Sequence, residues 1–145
     1  MSANDKQVGG QHYRSAKQHW DWVEENRMGY LEGCASKYTT RWQDKNGRQD
    51  LEKAEHFVDK TIEKFVDGTK KPGPYAGCDA NELPAPLEEF AAANLLGEKE
   101  TEVCRLLSTW KDLQDLRDAR ALIQALQVDC DQYALLTEEG GEGFA

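Results

Sequence analysis

The chain has 145 residues and a formal net charge of −9, so its length fits one domain with at most a small appendage. The charge is uneven: residues 1–71 carry 13 Lys and Arg against 12 Asp and Glu, whereas residues 72–145 carry 5 against 15. A nucleic-acid backbone requires clustered positive charge, so the acidic second half excludes that half as a nucleic-acid surface, and no nucleic-acid polymer is expected as a partner.

Three helices are predicted in the first half, over residues 15–27, 30–42 and 48–66, because apolar side chains recur there at helical spacing. In the first helix, Trp20 and Val23 are expected to face inward with Trp22 beside them. Gly33 interrupts the second helix, which favours close helix packing or close approach of a ligand. The third helix has a long apolar stripe that predicts broad burial and, in so short a chain, self-association into a homo-oligomer.

Residues 68–86 hold all four prolines and are predicted to be a connector, either a linker or a mobile loop over a site. Beyond it, a short helix over residues 86–93 precedes two amphipathic helices over residues 98–110 and 112–127, which form a helical hairpin. The predicted fold is therefore all-α and without internal repeats. Its divisions are a helical region 1–67, the connector 68–86, a hairpin region 87–137 and an acidic flexible tail 138–145.

The four cysteines, Cys34, Cys78, Cys104 and Cys130, are too widely spaced for a zinc site, and no metal site is predicted from them. The N-terminus is polar and no apolar run is long enough to cross a membrane. We therefore expect a cytoplasmic protein with reduced thiols and no membrane partner.

A cationic stripe marks the second helix and the turn after it. Lys37 and Arg41 are four residues apart and leave the same helix face, Tyr38 lies beside them, and Lys45 follows about one turn later. Such a stripe edged by aromatic rings is suited to a phosphate with a base stacked nearby. It is also typical of a solvated helix face. Gly9-Gly10 is suited either to an anion-accepting backbone turn or to a flexible lead-in.

The order of these residues carries a resemblance. Gly9-Gly10-x-His12-Tyr13 is followed by Gly33-x-x-x-Lys37-Tyr38-x-x-Arg41, and then by the run Lys45-Asn46-Gly47-x-x-Asp50-Leu51-x-Lys53-Ala54. This pattern resembles the SaV-like family of small phage proteins over residues 8–65. The chain departs from the family at Gln18-His19, where the family usually has Gln-Pro, and at Gly33-Cys34, where it usually has Gly-Asn.

One branch of that family phosphorylates deoxynucleoside monophosphates without a P-loop. The resemblance implies a nucleotide kinase in the host-cell cytoplasm, with ATP or another nucleoside triphosphate as donor and the need for Mg²⁺ open. The implied catalytic residues are His12, Arg41 and Asp50, with Asp50 orienting Arg41 or holding a metal. The implied nucleotide and phosphate contacts are Gly9, Gly10, Tyr13, Lys37, Tyr38, Arg41, Lys45 and Asn46, with Trp42 as a further ring for the base.

Other functions fit parts of the same pattern. A phosphate-binding helical protein can sequester a nucleotide, including a host defence signal, without turning it over. An acidic all-helical chain can also be an interaction protein that uses exposed apolar faces. Glu52 and Glu55 have the Glu-x-x-Glu spacing of helical pyrophosphohydrolases, although no second acidic pair accompanies them. The chain has no Gly-x-x-x-x-Gly-Lys-[Ser/Thr] motif, so a Walker-type kinase is excluded.

Overall fold

The computed structural model describes residues 18–140, with side chains through residue 137, and all regular structure in this part of the chain is helical. The all-α prediction is thus confirmed for these residues. The helices are α1 (His19–Glu25), α2 (Tyr30–Arg41), α3 (Arg48–Val66), a short 3-10 helix (Ala80–Glu82), α4 (Leu87–Ala93), α5 (Glu98–Thr109) and α6 (Leu113–Gly140). None of them combines the length and apolar character that a membrane crossing needs.

Two helical hairpins form the body of the molecule. The α2–α3 pair is joined by a turn at residues 42–47, and the α5–α6 pair by residues 110–112. Each helix packs on two others, because α2 contacts α3 and α5, and α6 contacts the same two helices. The result is a four-helix bundle. Its core is made of small and branched side chains: Ala35, Ala54, Val58, Val103, Leu106, Leu107, Ala119 and Ile123.

Two tryptophan–glutamate pairs tie the hairpins together. The indole Nε1–H of Trp42 donates to Glu100 Oε2 at 3.1 Å, and that of Trp110 donates to Glu32 Oε2 at 2.9 Å. In each pair the tryptophan ends one 12-residue helix and the glutamate lies in the first turn of the other. Helices α2 and α5 are therefore antiparallel. Both carboxylates are buried, so the indole donors replace hydrogen bonds that water would otherwise make.

Helices α2 and α5 share a pattern of three residues, which corrects the expectation of a chain without repeats. Gly29, Glu32 and Trp42 occupy the same positions in α2 and its caps as Gly97, Glu100 and Trp110 do in α5. The repeat was missed because the shared residues are few and lie far apart along the chain. Their spacing, Gly-x-x-Glu followed ten residues later by Trp, is nevertheless visible in the sequence.

Helix α1 packs on the bundle through Trp22, which is fully buried and stacks on Phe90 with ring centroids 4.5 Å apart. The prediction that Trp20 faces inward was wrong, because Trp20 is 56% exposed. Gly33 explains how α1 approaches α2 so closely. A Cβ atom at this glycine would lie 3.1 Å from Val23 Cγ1, so helix packing accounts for the missing side chain.

Residues 68–86 are mostly exposed and hold only a short 3-10 helix, but several of their side chains contact the helices. The amide of Asn26 pairs with the backbone of Ala85 through two hydrogen bonds of 2.8 and 2.9 Å. The ammonium of Lys70 lies 2.9 Å from Glu32 Oε1. Leu83 and Ala85 are buried in a second apolar cluster with Trp22 and Phe90. Composition predicted the lack of long helices here, but the long-range partners were not visible.

Helix α6 also differs from its prediction, because it continues from the expected end near residue 127 to Gly140. The buried stripe of Leu116, Ile123 and Leu126 continues through Cys130, which packs with Leu51 and Trp42. The region predicted as a tail from residue 138 is helical as far as residue 140. Packing of Cys130 with Leu51 and Trp42 therefore carries the buried stripe past residue 127, where strong apolar periodicity ends.

We expect Trp110→Phe and Trp42→Phe each to lower the free energy of unfolding by about 1–3 kcal/mol, because each leaves a buried carboxylate oxygen without its donor. Denaturant titration followed by circular dichroism measures this. In a Glu32→Gln background, Trp110→Phe should cost a different amount from its cost in the wild type, since the two residues interact. Unchanged stability in both single variants would contradict the structural role of these pairs.

A half-buried histidine lies where α1 meets α2. His19 Nε2 is 2.7 Å from Ser36 Oγ, and the ring also packs near Trp22 and Phe90. Burial, with a smaller contribution from the nearby Lys37 ammonium, lowers the pKa of His19 to about 4. The neutral ring is therefore the form that the folded protein accommodates.

This burial predicts a pH dependence of stability. As pH falls below about 6.5, the unfolded chain protonates this histidine while the folded chain does not, so stability decreases between pH 6.5 and pH 4. From pH 7 to pH 5 the wild type should lose about 2 kcal/mol more than His19→Asn loses. Parallel urea titrations at the two pH values measure the difference. Identical losses would show that His19 titrates normally in the folded state.

Candidate cationic site

The candidate site lies on the α2–α3 hairpin and is organised by an ion pair. The guanidinium of Arg41, at the end of α2, meets the carboxylate of Asp50 in the first turn of α3 with nitrogen–oxygen distances of 3.2 and 3.3 Å. Asp50 has no solvent exposure, whereas the Arg41 side chain is 28% exposed. The backbone N–H of Asn46 donates to the same carboxylate at 3.1 Å. Asp50 thus fixes the orientation of an arginine that still reaches solvent.

Three cationic groups surround one aromatic ring. Arg41 Cζ, Lys53 Nζ and Lys37 Nζ lie 4.8, 5.3 and 5.6 Å from the centroid of the Tyr38 ring. We call Lys37, Arg41 and Lys53 the cationic patch. In the described part of the chain neither lysine forms a salt bridge, so their charges are not neutralised by a neighbouring carboxylate. Such a group of charges attracts a multiply charged anion.

Lys53 is a site residue that the sequence analysis did not assign. Its position in the Asp50-Leu51-x-Lys53-Ala54 run was noted, but no role in the site was given to it. The antiparallel hairpin brings α3 alongside α2, which places Lys53 across from Tyr38. The signal that would have found it is the three-residue spacing from Asp50, which puts both side chains on neighbouring turns of one face.

Aromatic rings continue the patch toward the start of α2. Tyr38 and Phe57 stack in parallel with centroids 5.9 Å apart. Tyr30 meets the other end of the same row, with its ring perpendicular to that of Phe57 at 6.5 Å. Tyr38 and Phe57 are partly buried against the core, whereas Tyr30 is exposed. The hairpin therefore presents cations at one end and an exposed ring at the other.

Of the other residues that the sequence predicted for the site, some lie near this surface and others lie elsewhere in the chain. Lys45 and Asn46 are exposed in the turn between α2 and α3. Trp42 does not offer a ring to a base, because it is buried and its Nε1–H is bonded to Glu100. The predicted contacts of four N-terminal residues lie outside the described part of the chain: Gly9, Gly10, His12 and Tyr13.

A cavity of about 720 Å³ opens near the turn but has the opposite electrostatic character. Its lining includes the carboxylates of Asp44, Glu98, Glu100 and Asp129 and one ammonium, that of Lys99. That ammonium is 2.9 Å from Asp129 Oδ2. Such a lining repels a phosphate, whereas the charges of the cationic patch on the hairpin surface attract one.

The pyrophosphohydrolase pattern is not completed by the fold. Glu55 accepts hydrogen bonds from Gln124 and Gln127, and Glu52 pairs with Arg48. Among the residues that the structure describes, no three His, Cys, Asp or Glu side chains are grouped so as to hold a metal ion. Glu52 and Glu55 therefore serve as pairing residues on α3, and their spacing carries no argument for a magnesium site.

Comparison with known proteins adds no relative: no family model, curated protein or solved structure matches this chain.

Proposed function

We propose that the protein binds nucleotides through the cationic patch and transfers a phosphoryl group from a nucleoside triphosphate to a deoxynucleoside monophosphate. The observation that carries the proposal is the convergence of Lys37, Arg41 and Lys53 on one exposed surface, with two of the three charges unneutralised by the described residues. Lys37 and Arg41 belong to the sequence pattern that resembles the SaV-like family. Lys53 is the lysine in the Asp50-Leu51-x-Lys53-Ala54 run of the same pattern.

Phosphoryl transfer depends on positioning and on neutralising charge at the transferring oxygens. In the proposed reaction the bond between the terminal phosphorus and the donor's bridging oxygen breaks, and a phosphate oxygen of the acceptor takes its place. Arg41 grips two oxygens at once, which a lysine does not. Lys37 and Lys53 contribute point charges on either side of the Tyr38 ring. The donor is released as a nucleoside diphosphate, whose oxygen keeps the electron pair of the broken bond.

Asp50 supports this chemistry by orientation. Its carboxylate is fully buried, and both oxygens are engaged by Arg41, with the Asn46 N–H as a further donor. It therefore orients Arg41 and is not placed to take a proton from a substrate or to hold a metal. The role of proton carrier at the acceptor is proposed for His12, with Gly9, Gly10 and Tyr13 beside it.

The same burial of Asp50 favours a second candidate function. The described patch consists of three cations around Tyr38, and its carboxylate, Asp50, is engaged by Arg41; a patch that only binds phosphates suits a protein that sequesters a nucleotide. This alternative uses the same three cations and differs from the first only in the absence of turnover. It is therefore decided by measuring product and binding in parallel.

The proposal also holds that this is a phage protein, that it lies in the host-cell cytoplasm and that it forms a homo-oligomer. Self-association was predicted from the apolar stripe of α3, but much of this stripe is buried within one chain. The remaining reason is the exposed apolar end of α6, where Tyr133, Leu135 and Leu136 are each about half exposed or more.

The test of function is an assay of the pure protein with each deoxynucleoside monophosphate and ATP labelled on the terminal phosphate. We expect a labelled deoxynucleoside diphosphate with at least one acceptor, separated by chromatography. Calorimetry on the same samples measures binding. Binding without labelled diphosphate would replace the kinase by the sequestering function. Neither binding nor product would contradict both.

The same assays with variants locate the site. Lys37→Ala and Lys53→Ala should each weaken nucleotide binding by about 1.5–3 kcal/mol, the usual contribution of a charge-assisted hydrogen bond. Lys60→Ala is the matched control, because Lys60 is on the same helix as Lys53 but pairs with Glu63. Arg41→Ala is unsuitable, since it would strand the buried charge of Asp50. Equal effects at positions 53 and 60 would place the site elsewhere.

A further inference from the structure

The exposed ring of Tyr30 is a feature that the proposed phosphate site does not use. Tyr30 begins α2 and is 79% exposed, which is unusual for a large aromatic side chain next to a packed row of rings. Its edge-to-face contact with Phe57, with ring centroids 6.5 Å apart, supports one side of the ring. One side of the ring thus contacts Phe57, and the rest of the ring is open to solvent.

The position of Tyr30 relative to the cations is set by α2. Tyr30 and Arg41 are the first and last residues of the helix, so they are separated by roughly 16 Å along its axis, and Lys37 lies roughly 10 Å from Tyr30. Between them runs the row of Phe57 and Tyr38. A ligand that reaches from Tyr30 to the cationic patch must therefore be extended, with a flat group at one end and several negative charges at the other.

We propose that this surface is the binding site for a nucleoside triphosphate, with its base stacked on Tyr30 and its phosphate chain on Lys37, Arg41 and Lys53. The inference rests on the proposed function and goes beyond it by assigning the donor rather than the acceptor to the hairpin. A monophosphate is too short to use both ends of the surface. The acceptor must then lie beyond the terminal phosphate, on the side of Arg41.

Tyr30 suits the base better than Tyr38 and Trp42, two of the three rings named from the sequence; the third, Tyr13, lies outside the described residues. Tyr38 is already covered, because Phe57 stacks on it and the Arg41 guanidinium lies 4.8 Å from its centroid. Trp42 is buried among the bundle helices. Stacking on an aromatic ring tolerates any base, since every base has a π-face. The structure therefore predicts affinity for triphosphates as a class with little preference among bases.

The experiment compares a nucleoside triphosphate, a nucleoside monophosphate and inorganic tripolyphosphate as ligands of the full chain in calorimetry. The wild type should bind the triphosphate more tightly than either of the others. Tyr30→Ala should weaken triphosphate binding at least about fivefold and leave tripolyphosphate binding unchanged. Tyr30→Phe, which keeps the ring, should retain the wild-type affinity. Because Tyr30 is exposed, circular dichroism should show all three proteins equally folded.

The two variants distinguish an error in the base site on Tyr30 from an error in the phosphate site of the proposed function. If Lys53→Ala weakens binding of all three ligands while Tyr30→Ala changes none, the phosphate site stands and the base site on Tyr30 is wrong. If neither variant changes any affinity, the cationic patch itself is not the site. Equal affinities of the wild type for triphosphate and tripolyphosphate would also overturn base recognition.

Discussion

The carboxylate of Asp50 is buried in the first turn of α3 and has no contact with solvent. A charge in such a place must be matched by donors, and the bidentate contact with Arg41 and the N–H of Asn46 supply them. These three residues come from the end of α2, the turn and the start of α3. The requirement to neutralise one carboxylate therefore fixes how the hairpin closes, and it leaves the outer edge of Arg41 at the surface beside Tyr38.

The second hairpin supplies the frame that keeps this arrangement in place. Helix α2 is fastened at both ends to α5, at its start through Glu32 and Trp110 and at its end through Trp42 and Glu100. The patch residues are thus carried by helices whose relative position is set by buried hydrogen bonds. A site on helices keeps its geometry better than a site on a loop. The cavity lined by Asp44, Glu98, Glu100, Lys99 and Asp129 includes none of the three patch residues.

The sequence predicted the bounds of α2 and α3 well, because Gly29 and Gly47 precede them and their apolar residues recur at clear helical spacing. It did not predict the features that depend on contacts between residues far apart in the chain. Trp20 and Trp22 have the same chemistry, and only the contact with Phe90 shows which one is buried. The contacts of the connector were not predicted for the same reason, since nothing local to residues 68–86 reveals that Asn26 binds Ala85.

For the candidate site, the sequence placed Lys37, Tyr38, Arg41 and Asp50 in one region, and the hairpin brings them together. The structure added Lys53 and moved the proposed stacking role to Tyr30, because both assignments depend on which faces of α2 and α3 meet. The direct test is to map nucleotide binding residue by residue with backbone NMR shifts. The account predicts shifts concentrated at residues 30–41 and 46–57 on addition of a nucleoside triphosphate. Shifts concentrated around Lys99 and Asp129, or none at saturating ligand, would contradict it.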